Sequence, residues 1–182
     1  MKYMFASDIH GSAHYCRKLL DAYGQSGADR LILLGDLLYH GPRNDLPEGY
    51  APREVIAILN GIKDEICAVR GNCEAEVDQM VLDFPVMADY AVLVLNGLTF
   101  YATHGHVYNR ENMPPMKDGD ILIHGHTHLL TAEKCGNGFL LNPGSTSIPK
   151  GGNPATYAVL EDAMFRICDF EGNVVKEISL KG

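Results

Sequence analysis

Five short polar motifs each close an apolar run in this chain. That placement restricts it to an α/β fold whose strand ends gather in one place. The motifs are Ser-Asp-Ile-His with Asp8 and His10, Gly-Asp with Asp36, Gly-Asn with Asn72, Thr-His-Gly-His with His104, and Gly-His-Thr-His with His126 and His128. In an α/β sheet the ligand crevice lies beyond the carboxyl ends of the strands. Five loops from five strands can therefore meet at one point.

The runs between the motifs set the expected order of elements. Residues 2–6 read as a first strand leading to Asp8. Ala13, Cys16, Leu19, Leu20 and Tyr23 then fall at helical spacing, with Ser12 as N-cap and Gly24 as the stop. Residues 30–34 form a buried-strand run into Gly35-Asp36. Pro52 opens a second helix with Val55, Ile56, Leu59 and Ile62 on its apolar face. Residues 65–69 give a third strand before Arg70-Gly71-Asn72. This alternation predicts parallel βαβ units. The second half reads as hairpins: 90–95 with 98–102 around Asn96-Gly97, and 131–135 with 139–141 around Gly136-Asn137-Gly138. A strand at 120–123 leads into the last histidine motif, and 156–160, 165–169 and 174–180 form a meander. The architecture expected is a four-layer αββα sandwich, two mixed β-sheets flanked by helices, in a single domain over residues 1–182.

Composition removes several classes of function. The five cysteines, Cys16, Cys67, Cys73, Cys135 and Cys168, are odd in number and form no Cys-x-x-Cys pair. That argues against a disulfide framework and for a reducing, cytoplasmic setting. The net charge of −8 argues against stable nucleic-acid binding. It does not exclude a small anionic substrate, because bound cations reverse the local charge. No apolar run approaches the roughly 20 residues that span a bilayer, so no membrane partner is expected. A cleaved signal peptide is not expected either, since cleavage would remove Asp8. Self-association as a dimer stays open.

The ligand set has its own chemistry. Mixed carboxylate, imidazole and amide donors suit divalent Mn, Fe, Ni or Zn. Asp8 and His10 stand two apart in a turn and can reach one ion. Asp36 has two oxygens and can bridge two. The amide oxygen of Asn72 is a weak neutral ligand, and His126 and His128 alternate across Thr127. Two such ions about 3.5–4 Å apart activate water and clamp phosphate oxygens.

These motifs resemble those of the calcineurin-like metallophosphoesterase superfamily: Asp-x-His, Gly-Asp, Gly-Asn-His-Asp/Glu, His, and Gly-His-x-His. The match runs from Asp8 to His128. The segments 40–44, 46–52, 71–74 and 142–154 bring it nearest to the bacterial YfcE-type phosphodiesterases. The resemblance implies a metal-dependent phosphodiesterase with a dinuclear centre and a metal-bridging hydroxide. It implies Mn2+ first, with Ni, Co, Fe or Zn as alternatives. One ion would take Asp8, His10, Asp36 and His128, and the other Asp36, Asn72, His104 and His126. Asp36, His104 and Cys73 are the catalytic candidates.

Cys73 departs from the family pattern, which usually has His there to steady the phosphate or assist the leaving group. A thiol is a weak hydrogen-bond donor. The expected consequence is poor turnover of monoesters and dependence on diesters or good leaving groups.

Other residues carry more than one reading. His106 orients a ligand, contacts substrate, or ligates directly. His40 borders the substrate or serves its loop. Arg43 contacts phosphate through its guanidinium or fixes the loop by an ion pair. The turn Asn142-Pro143-Gly144-Ser145 cradles phosphate or buttresses the histidine loop, and the buttress is the favoured reading. A phosphomonoesterase acting on a small metabolite or nucleotide is the nearest rival function. A catalytically silent interaction scaffold is the rival from another class. The intact ligand set favours catalysis, and a large exposed apolar patch would favour the scaffold.

Overall fold

The computed structural model describes residues 1–181. Two mixed sheets pack face to face with the helices flanking. The first sheet has strands β1 (Lys2–Ala6), β2 (Arg30–Leu33), β3 (Ile66–Ala68), β9 (Thr156–Glu161), β10 (Met164–Asp169) and β11 (Val174–Ser179), ordered β11-β10-β9-β1-β2-β3. The second has β4 (Tyr90–Leu95), β5 (Leu98–Thr103), β6 (Ile121–Ile123), β7 (Thr131–Cys135) and β8 (Gly138–Asn142), ordered β4-β5-β6-β8-β7. The helices are α1 (Ala13–Ser26), α2 (Pro52–Asn60) and α3 (Glu76–Val81).

Side-chain alternation divides the core into two layers. Tyr3 and Phe5 face the second sheet, whereas Met4 and Ala6 face the helices. Ile32 and Leu34 face inward, and Leu31 and Leu33 outward, in the same way. These central strands are apolar on both faces because both faces are covered. Phe5 sits between the sheets with Phe100 and Phe165, each at a ring-centroid distance of 5.8 Å.

The local signals mostly hold. Ser12 caps α1, its hydroxyl accepting from the Tyr15 N–H at 3.2 Å. Gly24 does not stop that helix. A Cβ there would meet nothing, and the left-handed cap falls at Gly27 with φ 66°. Ile62 lies beyond the end of α2, because residues 63–65 tighten into a 3₁₀ turn. Asn96 and Gly97 both have positive φ and close the β4–β5 hairpin. Gly138 belongs to β8 rather than to its turn. The short α3 has no counterpart in the sequence reading.

Parallel pairing decides where the site lies. β1, β2 and β3 are parallel neighbours, as are β5, β6 and β8. The five polar motifs follow the first five of these strands. The sixth, β8, ends at Asn142. The terminal meander and β4 and β7 pair antiparallel and carry no motif.

Candidate dimetal active site

Beyond the strand ends the motif loops bind one another through backbone bonds. His10 N–H donates to Asp36 O at 2.9 Å and Gly11 N–H to Leu37 O at 2.8 Å. Gly125 N–H donates to His104 O at 2.8 Å. Two motif glycines are required by this close approach. A Cβ on Gly71 would collide with the Asp36 carboxylate, and one on Gly125 with the Ser7 hydroxyl.

The candidate ligand residues also adopt uncommon backbone. Seven non-glycine residues among those described have left-handed φ, and five are Asp8, His10, Asp36, His126 and His128. The other two, Asn96 and Asp162, are in hairpin turns. Such strain gathers where surrounding structure overrides it, typically at functional sites.

Three buried histidines are locked in one tautomer. Nδ1 of His10 lies 2.7 Å from Tyr39 O, Nδ1 of His104 2.6 Å from Leu34 O, and Nδ1 of His128 2.6 Å from Ile148 O. A carbonyl only accepts, so each Nδ1 carries the hydrogen and each Nε2 turns toward the centre. The Nε2 atoms of His10 and His128 lie 3.2 Å apart. His128 Nε2 is 3.3 Å from Asp8 Oδ1, and His104 Nε2 is 3.3 Å from Asp36 Oδ2. His10 Nε2 lies 3.6 Å from Asp8 Oδ1 and 3.7 Å from Asp36 Oδ2, between the two carboxylates. Asn72 Oδ1 is 3.0 Å from His104 Nε2, and His126 reaches that atom with Nδ1 at 3.3 Å.

These donors fit divalent cations. Asp8, His10 and His128 bring one donor atom each within 4.8 Å of one another, and so do Asp36, His104 and His126. Asp8 Oδ1 is fully buried with no hydrogen-bond partner. An orphaned carboxylate oxygen facing imidazole nitrogens is costly unless a cation or proton joins them.

The charges are strongly coupled. Burial alone would raise Asp8, but the adjacent imidazoles of His10 and His128 outweigh this and hold the carboxyl well below the usual range. Burial alone would lower His104, but its bond to Asp36 and the charges of Asp8 and Asp36 push it up to about 9. Burial, then the neighbouring His104, brings His126 down to about 4. A divalent cation would displace the proton on His104.

Glu74 had no assigned role in the sequence reading beyond its place in the motif. Its buried carboxylate accepts from the N–H groups of Asp36 at 2.8 Å, Leu37 at 2.7 Å and Gly71 at 2.5 Å. It ties the Gly-Asp loop to the Gly-Asn loop. The 142–147 segment is a buttress: Asn142 Nδ2 donates to Gly125 O at 2.9 Å, and the hydroxyls of Ser145 and Ser147 donate to Asp8 O at 3.0 and 3.1 Å.

A cleft of about 420 Å³ opens over the candidate ligands. Its lining includes His10, Asp36, Asn72, His126 and His128, with Cys73, Arg43 and Lys150 beside them. Cys73 N–H donates to Asp36 Oδ1 at 2.9 Å. Burial first, then the Asp36 charge, push its thiol up and keep it S–H without bound cations. His40 is outside the lining, packed between Tyr39 and Tyr50 at centroid distances of 4.7 and 5.3 Å. His106 stacks 5.5 Å from His104 and lines a neighbouring cavity instead.

The domain description for the calcineurin-like phosphoesterase superfamily matches residues 1–163. Phosphodiesterase YfcE of Escherichia coli K12 is 51% identical over 167 residues, covering 92% of this chain and 91% of that protein. Phosphodiesterase MJ0936 of Methanocaldococcus jannaschii is 25% identical over 79% of this chain and 83% of its own length. The solved structure of E. coli YfcE superposes with a TM-score of 0.97 at 47% identity, covering all of both chains. Vps29 from Entamoeba histolytica, solved with Zn, shares the fold at a TM-score of 0.63 and 21% identity over the whole of both chains.

Proposed function

This chain belongs to the calcineurin-like phosphoesterase superfamily, and on that footing we propose that it is a metal-dependent phosphodiesterase acting on a small phosphate ester. The observation that carries the reading is the set of three buried imidazoles, His10, His104 and His128. Each has Nδ1 fixed on a carbonyl and Nε2 turned toward Asp8 or Asp36. In this reading Asp8, His10, Asp36 and His128 would hold one divalent cation, and Asp36, Asn72, His104 and His126 would hold the other. Bound there, two cations supply an activated water and a clamp on phosphate oxygens. Mn2+ is the proposed ion on the family resemblance; the oxygen and imidazole donors suit Mn and equally admit Fe, Ni or Zn.

The chain's own residues do the rest. Glu74 and the 142–147 buttress hold the ligand loops in register before substrate arrives. The Cys73 thiol faces the cleft and can give the phosphate one weak hydrogen bond. Hydrolysis of a nitrophenyl diester by metal-stripped protein, with Mn2+ added back, tests the assignment. Turnover that no divalent ion restores would sink it.

Two further outcomes are expected. Metal at a hundredfold excess over its Kd stabilises the fold by about 2.7 kcal/mol. That is roughly 5–10 °C in Tm at this chain length. Calorimetry of stripped and reloaded protein checks it, and an unmoved Tm would speak against a built metal site. Cys73→His replaces a weak donor by a strong one. It should move the ratio of diester to monoester kcat/KM toward monoesters by about tenfold, or about 1.4 kcal/mol of differential stabilisation. An unchanged ratio would assign Cys73 a spacer role.

A scaffold reading has one observation in its favour. On β4, an edge strand, Tyr90, Val92 and Val94 are exposed in alternation. An apolar edge of this kind suits a pairing partner, and a homodimer would use it. Among the described residues no helix is long and apolar enough to cross a membrane. All five cysteines are unpaired, which supports the proposal of a reducing, cytoplasmic setting.

A further inference from the structure

We propose that Arg43 and Lys150 form a second anion subsite at the mouth of the cleft, and that the natural diester carries a phosphoryl group on one arm. The inference rests on the phosphodiesterase reading and names the class of substrate for that same site.

The cleft is graded by depth. Asp36, His10 and His128 are buried at its floor, whereas Arg43 and Lys150 are exposed at its rim. Asp36 is the only acid in the lining among the described residues. Arg43 and Lys150 form no ion pair and no side-chain hydrogen bond among those residues. In a chain of net charge −8, this is a local excess of positive charge.

The scissile phosphate does not account for that excess. A diester brings one negative charge. Asp8 and Asp36 contribute two, and a pair of divalent cations would bring four positive ones. The floor is then net positive before substrate arrives and neutralises the scissile group unaided. Two cations remain at the rim, and a phosphoryl dianion matches them. The arginine offers a planar fork for phosphate oxygens and the lysine a compact charge.

Both cations ride on loops fastened to the ligands. The Arg43 loop begins at Tyr39, whose carbonyl holds His10 Nδ1 at 2.7 Å. It is closed by the Asn44 side chain, which donates to His40 O at 2.9 Å. On the other loop Lys150 N–H donates to His128 O at 3.1 Å, and Asn153 Nδ2 donates to Lys150 O at 2.8 Å. His10 and His128 are themselves in contact through their Nε2 atoms. The two rim residues are therefore set from the same two histidines. The neighbouring cavity lined by His106 is a poorer seat, because its Arg110 is already paired with Glu133.

Matched nitrophenyl phosphodiesters with a pentyl or an omega-phosphopentyl second arm test the subsite on Mn-loaded protein. At low salt kcat/KM should favour the phosphopentyl arm by roughly tenfold. The preference should shrink as ionic strength rises, since both cations are exposed. Arg43→Ala and Lys150→Ala should each bring the ratio toward one. Equal rates on both arms in the unaltered protein, or a ratio that neither substitution moves, would overturn the subsite. An equal fall on both substrates would overturn it too, by placing the cations on the scissile phosphate. Calorimetry with pentanediol bisphosphate against pentyl phosphate separates the two readings. Tighter bisphosphate binding through Arg43 and Lys150, without diester turnover, would keep the subsite and remove the phosphodiesterase. Turnover of both diesters without preference would do the reverse.

Discussion

Asp36→Asn should lower kcat/KM for a nitrophenyl diester by on the order of a thousandfold while leaving the protein folded. Asp36 is the acid placed to serve both proposed ions. Its Oδ2 lies 3.3 Å from His104 Nε2 and 3.7 Å from His10 Nε2. Asparagine keeps one neutral oxygen and puts an amide N–H₂ where the second oxygen was. The substitution is clean for two reasons. The retained oxygen can still accept from Cys73 N–H, the bond Asp36 Oδ1 makes at 2.9 Å. The left-handed φ of 57° is one that asparagine tolerates better than most residues. The measurement is turnover with Mn2+ added back, alongside circular dichroism and metal stoichiometry. Activity within tenfold of the unaltered protein would remove Asp36 from the shared position.

Glu74→Ala should destabilise the protein by about 3–5 kcal/mol and abolish activity at temperatures where the unaltered enzyme works. The reason is a count of donors. Three buried N–H groups, on Asp36, Leu37 and Gly71, end on one carboxylate, and alanine leaves all three without a partner. Two of those residues are Asp36, the proposed shared ligand, and its neighbour Leu37, so lost pairing also loosens the Gly-Asp loop. Burial first, then the Asp36 charge, raise the Glu74 carboxyl, and the three N–H bonds partly restore it. Glu74→Gln keeps one acceptor but turns an N–H₂ on the same donors, so it should fall between the two. Urea unfolding and Mn2+ affinity measured on both variants read the effect. A loss under about 1 kcal/mol in Glu74→Ala would show that water replaces the carboxylate.

What was legible in the sequence was local. β1 was expected at residues 2–6 and lies there, because the apolar run from Tyr3 to Ala6 ending in a polar turn has few alternatives. The Asn96-Gly97 hairpin was readable because two adjacent positive φ values demand those residue types. Gly24 misled because glycine permits a helix stop without enforcing one, and the true cap came three residues later at Gly27. The short α3 was missed because six residues carry too little periodicity to register. Glu74 and Ser147 carry no local signal for their roles because their partners are remote. Glu74 bonds residues 36 and 37, and Ser147 bonds Asp8. No window on the sequence contains both ends of such a bond.

The sequence by itself determined the donor types and the strand ends that carry them. Each motif is a contiguous string whose chemistry and position follow from its own residues and the apolar run before it. Only the tertiary structure decided which way those donors face. His10, His104 and His128 turn Nε2 inward because carbonyls of Tyr39, Leu34 and Ile148 hold their other nitrogens. Those carbonyls lie 29, 70 and 20 residues away along the chain. The same holds for Arg43 and Lys150, which meet at one cleft from loops over a hundred residues apart in the sequence. Ligand identity is a property of a residue. Ligand direction is a property of the bond on its far side, and that bond forms only when the two sheets close.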